Sequence, residues 1–293
     1  MKYALFLGCT IPVRAQNYEI SARRVARELG IEFEDLTDLA CCAYPMRSAS
    51  EKVATVLAAR NLAIAEEKGL ELCTLCSACT ATLTEMNEHL KQDEKARKEV
   101  NEHLKKIGRE YKGTAKVRHF ARILYEDIGV DKIKSKVKKE LLSLALAPHY
   151  GCHYIKPSEV YGHFDSPENP HTLSELITAT GAKLAPDIPN SCCGGAILGV
   201  EADITLTMAK TKLDAAQSAK ADAIVSICPF CSVIFEDNQK KVAEKFEKEY
   251  GIPVLFYPQI LGLALGIEEK ELAFRLNKVK PKDLLAKLAS EAA

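Results

Sequence analysis

Two cysteines stand side by side at Cys41-Cys42 and again at Cys192-Cys193, each pair with a lone cysteine upstream and a C-x-x-C downstream. The first set runs Cys9, 31 residues, Cys41-Cys42, 33 residues, Cys76-x-x-Cys79; the second runs Cys152, 39 residues, Cys192-Cys193, 34 residues, Cys228-x-x-Cys231. Adjacent cysteines bond to each other only through a small strained ring. A chain that uses the arrangement twice needs its thiols for something other than pairing.

The surrounding sequence repeats with the cysteines, so internal duplication is the first constraint on the fold. "MKYALFLGCTIP" and "LALAPHYGCHYI" both end an apolar run at Gly-Cys, at Gly8-Cys9 and Gly151-Cys152. A helical pattern follows each and stops at Gly30 or Gly181; the cysteine pair starts the same distance beyond each glycine. A second helical stretch then leads into "LELCTLC" or "DAIVSIC", short apolar runs that end in the C-x-x-C. Strands alternating with helices predict crossover units and parallel pairing, hence two small α/β lobes with short parallel sheets. The expected division is a first lobe over 1–84, a charged helical linker over 85–145, and a second lobe with C-terminal helices over 146–293. In the linker nearly half the positions are charged, with Lys and Arg outnumbering Asp and Glu, which reads as solvated helices or as a docking surface for a partner.

The whole chain carries 40 basic and 40 acidic residues, so no single-sign field points to nucleic acid or an anionic membrane. No apolar run reaches the length of a membrane span, and the amino terminus shows no signal-peptide cleavage site; the expected location is the cytoplasm. In a reducing compartment, 11 cysteines in 293 residues point to metal binding rather than disulfides. Ten belong to the two sets. Cys73 is left over, sits inside a predicted strand and is expected to pack as a small hydrophobe.

At the carboxyl ends of parallel strands, each set should bring five thiolates together. One zinc or one cubane cluster takes four. Either one thiol per lobe is spare, or the metal assembly is larger and less regular than a cube. Two structural zinc sites remain an alternative, and a dithiol redox site is a weaker one. Gly194 and Gly195 would let the backbone approach a bulky centre or leave a substrate opening beside it.

The doubled spacing, with its second copy reading "SCCGG", resembles the cysteine-rich CCG domain family. With two copies and little else in the chain, it is similar to the B subunits of soluble heterodisulfide reductases from methanogenic archaea. The likeness extends to "PQILGLALGI" at 258–267 and departs at "CCAYP", where Ala43 replaces the glycine; a slightly different opening is expected there. The resemblance implies two pseudo-symmetric Rossmann-like CCG lobes. It implies two noncubane [4Fe-4S] clusters held by Cys9, Cys41, Cys42, Cys76, Cys79, Cys152, Cys192, Cys193, Cys228 and Cys231. It further implies reduction of the coenzyme M–coenzyme B mixed disulfide in methanogenesis. The implied partners are a flavin-containing A subunit and a ferredoxin-like C subunit, in an electron-bifurcating complex with hydrogenase or formate dehydrogenase. Relatives in the wider family serve as electron-transfer subunits of hydroxyacid or thiol:fumarate oxidoreductases, which is the alternative function. The chain holds no ferredoxin motif of its own: "CTLCSACTATL" starts like one but has Leu83 at the fourth position and no proline.

A disulfide lying between two such clusters would receive one electron from each. Protons need a donor. His153, directly after Cys152, is the first candidate; His149, Tyr150 and Tyr154 are further ones. The anionic tails of both coenzymes call for cations at the entrance, for which Lys210 and Lys212 on the helix after "SCCGG" are candidates.

Overall fold

The segment Lys2–Phe6 buries every residue but its first and forms β1, from which the first sheet grows on both sides. The structure, a computed structural model, describes residues 1–291. β2 (Glu32–Asp35), β3 (Leu72–Thr74) and β4 (Val117–His119) complete a parallel sheet ordered β2-β1-β3-β4. β5 (Ala145–His149), β6 (Lys183–Leu184), β7 (Ala223–Ser226) and β8 (Val254–Phe256) form a second, ordered β6-β5-β7-β8. The repeat extends to register. Leu5 faces Cys73 as Pro148 faces Val225, and Thr74 faces His119 as Ser226 faces Phe256. The expected α/β architecture of two pseudo-symmetric, Rossmann-like lobes with short parallel sheets is the one observed.

Long crossover helices cover the sheets. Glu51–Lys68 is capped by Ser50, whose side chain accepts from the Val53 N–H, and stops at Gly69 in a left-handed conformation. Its counterpart is Ala202–Ser218. In both sheets the strand order reverses between the first strand and its third-in-sequence neighbour. Ligand sites of open parallel sheets form at that reversal, beyond the carboxyl ends of the strands. Cys9 and Cys76 follow β1 and β3 there; Cys152 and Cys228 follow β5 and β7.

The stretch 85–145, expected to be a helical linker, supplies β4 as the fourth strand of the first sheet. "KVRHF" is short, and its Arg118 is spent on Glu71, Glu126 and Asp127, so no apolar run announces it. Two helices within the stretch are largely solvated: Glu94–Leu104 buries only Val100 and Leu104, and Val130–Lys136 buries only Ile133. The C-terminal helix Tyr257–Ala264, expected to close the second lobe, is wholly buried and packs on Gln16–Glu28 of the first.

The lobes are thus joined by shared core. Tyr18 stacks on Phe256 with ring centroids 4.1 Å apart and donates its hydroxyl to the Ile227 carbonyl at 3.2 Å. His119, at the end of β4, accepts at Nδ1 from the Ala121 N–H and donates from Nε2 to the same Ile227 carbonyl at 2.9 Å. Burial pushes its imidazole down to about 4. It is a neutral bolt between the lobes.

Ala43 and Gly194 test how strict the repeat is. Both lie in the left-handed region, with φ 70° and 74°, and both precede a 3-10 turn. The missing glycine therefore leaves the backbone unchanged. A Cβ at Gly194 would sit 3.1 Å from the Thr205 backbone and 3.0 Å from Met208 Sδ; the residue matching Thr205 in the first lobe is the smaller Ala54. Gly194→Ala should therefore lower stability by about 1–2 kcal/mol from backbone strain, with a further contribution from crowding. In Ala43→Gly, relief of that strain is offset by about 0.5–1 kcal/mol of added chain entropy, so the change stays small. Anaerobic urea unfolding of both variants measures the difference; equal losses would contradict this reading.

Candidate metal centre

Each thiol set is assembled from three loops. Cys76 is the N-cap of the helix Ser77–Gln92, where the Cys79 backbone N–H points at its sulfur; Cys228 heads Pro229–Ser232 and receives N–H groups from Phe230 and Cys231. Helix N-termini favour thiolates by supplying unpaired N–H groups and a positive dipole end. The cysteine pairs use the left-handed turns described above. Ala43 N–H donates to Cys41 Sγ at 3.4 Å; Gly194 N–H donates to Cys192 Sγ at 3.3 Å and Gly195 N–H to Cys193 Sγ at 3.4 Å. The backbone before the lone Cys9 passes so close to the set that a Cβ on Gly8, at φ +65°, would fall 2.9 Å from Cys79 Sγ. Only glycine fits there.

The sulfurs form a continuous file. In the first lobe Cys41 contacts Cys42, Cys42 contacts Cys79, and Cys79 contacts Cys76; in the second Cys228 contacts Cys231, Cys231 contacts Cys193, and Cys193 contacts Cys192. Cys152 Sγ closes the second set 3.9 Å from Cys192 Sγ. Cys9 lies at the outer edge of the first set, within the electrostatic reach of Cys41. The two files join where Cys76 and Cys228 face each other across the lobe boundary. No disulfide links any of the thiols. Among the described residues, no three His, Cys, Asp or Glu side chains converge as a cage for a single ion.

Proton sharing splits the thiols. Contacts with Cys41 and Cys79 pull Cys42 down to about 3, and contacts with Cys152 and Cys193 pull Cys192 down to about 2. Cys76 goes up through its contact with Cys228, and Cys152 goes up through its contact with Cys192. So many sulfurs in mutual contact hold their protons or share them until a cation takes their charge. The donor set fits iron–sulfur clusters: all-thiol, elongated, glycine-lined, and larger than one tetrahedral ion needs. Cys42, Cys76, Cys79, Cys193, Cys228 and Cys231 form the buried floor; Cys9 is exposed, and Cys41, Cys152 and Cys192 are half-buried at the rim. Cys73 lies in β3 with no exposed surface and its thiol raised by burial, as a small core residue should.

A cavity of about 520 Å³ opens at this rim between the lobes, lined by Tyr44, Pro45, Arg47, Ser48, His153, Ala196 and Phe230. His153 is in it as expected, with Nε2 3.3 Å from the Tyr44 hydroxyl and its backbone carbonyl accepting from Tyr161 at 2.6 Å. Three other expectations change. Gly194 and Gly195 do not line the cavity. They are buried, Gly194 against Thr205 and Gly195 so close to Phe230 that a Cβ would lie 3.1 Å from the ring; Ala196 is the residue at the opening. Lys212 is not at the entrance either, being 1% exposed behind the second set, and Lys210 is tied to Asp214. The cation at the cavity is Arg47, which also pairs with Glu85 at 2.8 Å. Of the lesser proton-donor candidates, Tyr150 is spent on Pro170 and Ser174. Tyr154 and His149 are wholly enclosed, and burial pushes Tyr154 up and His149 down to about 3. Tyr44, Arg47 and Phe230 escape a reading of the sequence, although Tyr44 stands where the other repeat has Gly195.

The chain matches the cysteine-rich domain family CCG twice, over residues 3–84 and 146–236. It is 38% identical over 292 residues to the B subunit of the ferredoxin/F(420)H(2)-dependent CoB-CoM heterodisulfide reductase of Methanosarcina acetivorans, covering 98% of this chain and 97% of the relative. It is 36% identical to an Archaeoglobus profundus protein named for its likeness to the heterodisulfide reductase B subunit, covering 93% of each chain. It is 32% identical to the 8-methylmenaquinol:fumarate reductase membrane anchor subunit of Wolinella succinogenes, covering 95% of this chain and 97% of that one. No helix among the described residues is long and apolar enough to cross a membrane. A crystal structure of a hypothetical protein from Helicobacter pylori superposes with a TM-score of 0.78 at 19% identity; the match covers 95% of this chain and 52% of that one, and supports the fold alone.

Cys79→Ala should remove iron from the first lobe and leave that of the second, roughly halving the iron per chain. Cys73→Ala should leave iron content unchanged while lowering stability by about 1 kcal/mol. Colorimetric iron analysis of the anaerobically purified variants distinguishes the two residues; iron loss in the Cys73 variant would place that thiol among the ligands.

Proposed function

The chain belongs to the cysteine-rich CCG family of heterodisulfide reductase B subunits, and from that membership we propose that it is the catalytic subunit of such an enzyme. The reaction is reduction of the coenzyme M–coenzyme B disulfide to two thiols. The observation that carries the proposal is the cavity between the lobes, lined by residues that neighbour ligands of both thiol sets. The ten cysteines of the two sets hold two noncubane [4Fe-4S] clusters, five thiolates each. When bound, these clusters supply the two electrons and the Lewis acidity that stabilises sulfur anions.

The protein's own residues do the rest. Phe230 and Pro45 offer apolar surface to alkyl chains, and Arg47 offers a guanidinium to an anionic tail. Reduction of one disulfide consumes two electrons and two protons. His153 Nε2, held by the Tyr44 hydroxyl, is the proton donor at the cavity wall; Tyr161 fixes the backbone from which His153 projects. Tyr44 comes from the first lobe and His153 from the second, so the donor pair forms only when the lobes are together. The electrons come from a ferredoxin-like C subunit and a flavin-containing A subunit, within a larger complex with hydrogenase or formate dehydrogenase, in the cytoplasm. The likeness to a fumarate reductase subunit favours one alternative, an electron-transfer subunit with no substrate of its own.

Reduced viologen dye and the mixed disulfide test the proposal on anaerobically purified chain holding about eight irons, the number two four-iron clusters require. Two dyes should be oxidised per disulfide consumed. His153→Ala should lower kcat by about 10²–10⁴-fold at unchanged iron content, with a smaller loss in Tyr44→Phe. Full iron loading with no disulfide-dependent dye oxidation would overturn the catalytic assignment in favour of the electron-transfer one.

A further inference from the structure

The two thiol sets are alike in number and spacing but not in what stands behind them. Lys212 lies eleven residues past the cap of the helix Ala202–Ser218, and Asn61 lies at the same place past the cap of Glu51–Lys68. Both tether a cysteine-pair loop. Asn61 accepts from the Ala40 N–H at 2.9 Å and donates to the Cys41 carbonyl at 3.1 Å; Lys212 Nζ donates to the carbonyls of Pro148 at 2.8 Å and Pro189 at 2.9 Å. The tether needs no charge, as Asn61 demonstrates. Yet Lys212 is 1% exposed and bonded only to neutral carbonyls; burial weakens its hold on a proton, and the Cys231 sulfur, once charged, would strengthen it. An ammonium held away from water is costly unless an anion is near.

A second residue points the same way. By sheet register His149 matches Phe6, because His149 faces Ser226 as Phe6 faces Thr74. His149 is 1% exposed, and neither ring nitrogen has a hydrogen-bond partner. Its neighbours are the Phe235 ring, Lys212, and the thiols Cys192 and Cys228. A polar ring enclosed without partners in a native core marks a place where another group completes its bonding. At both matched positions, then, the second lobe has a basic nitrogen where the first has a neutral amide or a phenyl ring. Arg47, the cation that follows the first cysteine pair, is paired with Glu85 at the cavity rim and leaves this contrast intact.

We propose that Lys212 and His149 are positioning residues that make the centre held by Cys152, Cys192, Cys193, Cys228 and Cys231 easier to reduce than the one held in the first lobe. The inference rests on the iron–sulfur reading above. Each one-electron reduction adds one negative charge, which a buried ammonium and a ring N–H stabilise at short range; hydrogen bonds and burial are the levers by which a protein sets such potentials. The duplicated fold thus carries a built-in potential step between its two halves.

The test is an anaerobic redox titration of the iron-loaded chain, followed by electron paramagnetic resonance, for wild type, Lys212→Met, Lys212→Arg and His149→Phe. The wild type should show two midpoints. The higher one should shift downward in Lys212→Met and in His149→Phe, the lower one should stay in place, and Lys212→Arg should restore the wild-type value. Should Lys212→Met lose iron, His149→Phe, which installs the first lobe's own residue, decides the matter. Unchanged midpoints in an iron-replete His149→Phe, or both midpoints moving together, would overturn the inference. Absence of iron in the wild type would instead sink the functional reading beneath it.

Discussion

The contact between Cys76 and Cys228 across the lobe boundary is the constraint on which the rest of the molecule depends. Two buried thiols from separate halves meet only if both sheets end at the same level and both C-x-x-C turns face inward. The matched registers of the two sheets secure the first condition. The Tyr18–Phe256 stack and the doubly used Ile227 carbonyl secure the second. Apolar burial supplies the energy: one core cluster runs from Tyr3 and Leu5 through Phe256 and Ile260, and so belongs to both lobes. The halves are structural repeats without being independent bodies.

From that contact outward, the chain grades from a closed floor to an open rim. Buried sulfurs occupy the floor, half-exposed ones the edge, and the cavity with Tyr44, Arg47 and His153 lies above. Glycine or a left-handed alanine lets the main chain turn its N–H groups onto sulfur, which offsets part of the cost of the thiolates that a metal would require. The pseudo-symmetry is broken beside the thiol sets. Tyr44 stands at the rim where the second lobe has Gly195, and Lys212 and His149 stand at the back where the first has Asn61 and Phe6.

The cysteine spacing makes the two lobes, the ten ligand candidates and the spare Cys73 legible in the sequence, because covalent order and helix length fix where strand ends fall. β4 is hidden because its three residues carry Arg118 and His119, whose partners come from distant segments. The glycines after Cys193 suggest an opening, since a missing side chain looks the same in sequence whether it admits a ligand or a neighbouring Phe230 ring. Lys212 looks like a surface lysine, two positions after Lys210 in the same helix. Only the packing of that helix on the cysteine-pair loop distinguishes a buried ammonium from an exposed one.

Anomalous scattering at the iron edge, from crystals grown without oxygen, tests the central claim most directly. Two separate multi-iron assemblies should appear, one on each side of the Cys76–Cys228 contact, each reached by all five sulfurs of its lobe. A single metal ion in either lobe, or a cysteine pair closed into a disulfide, would contradict it.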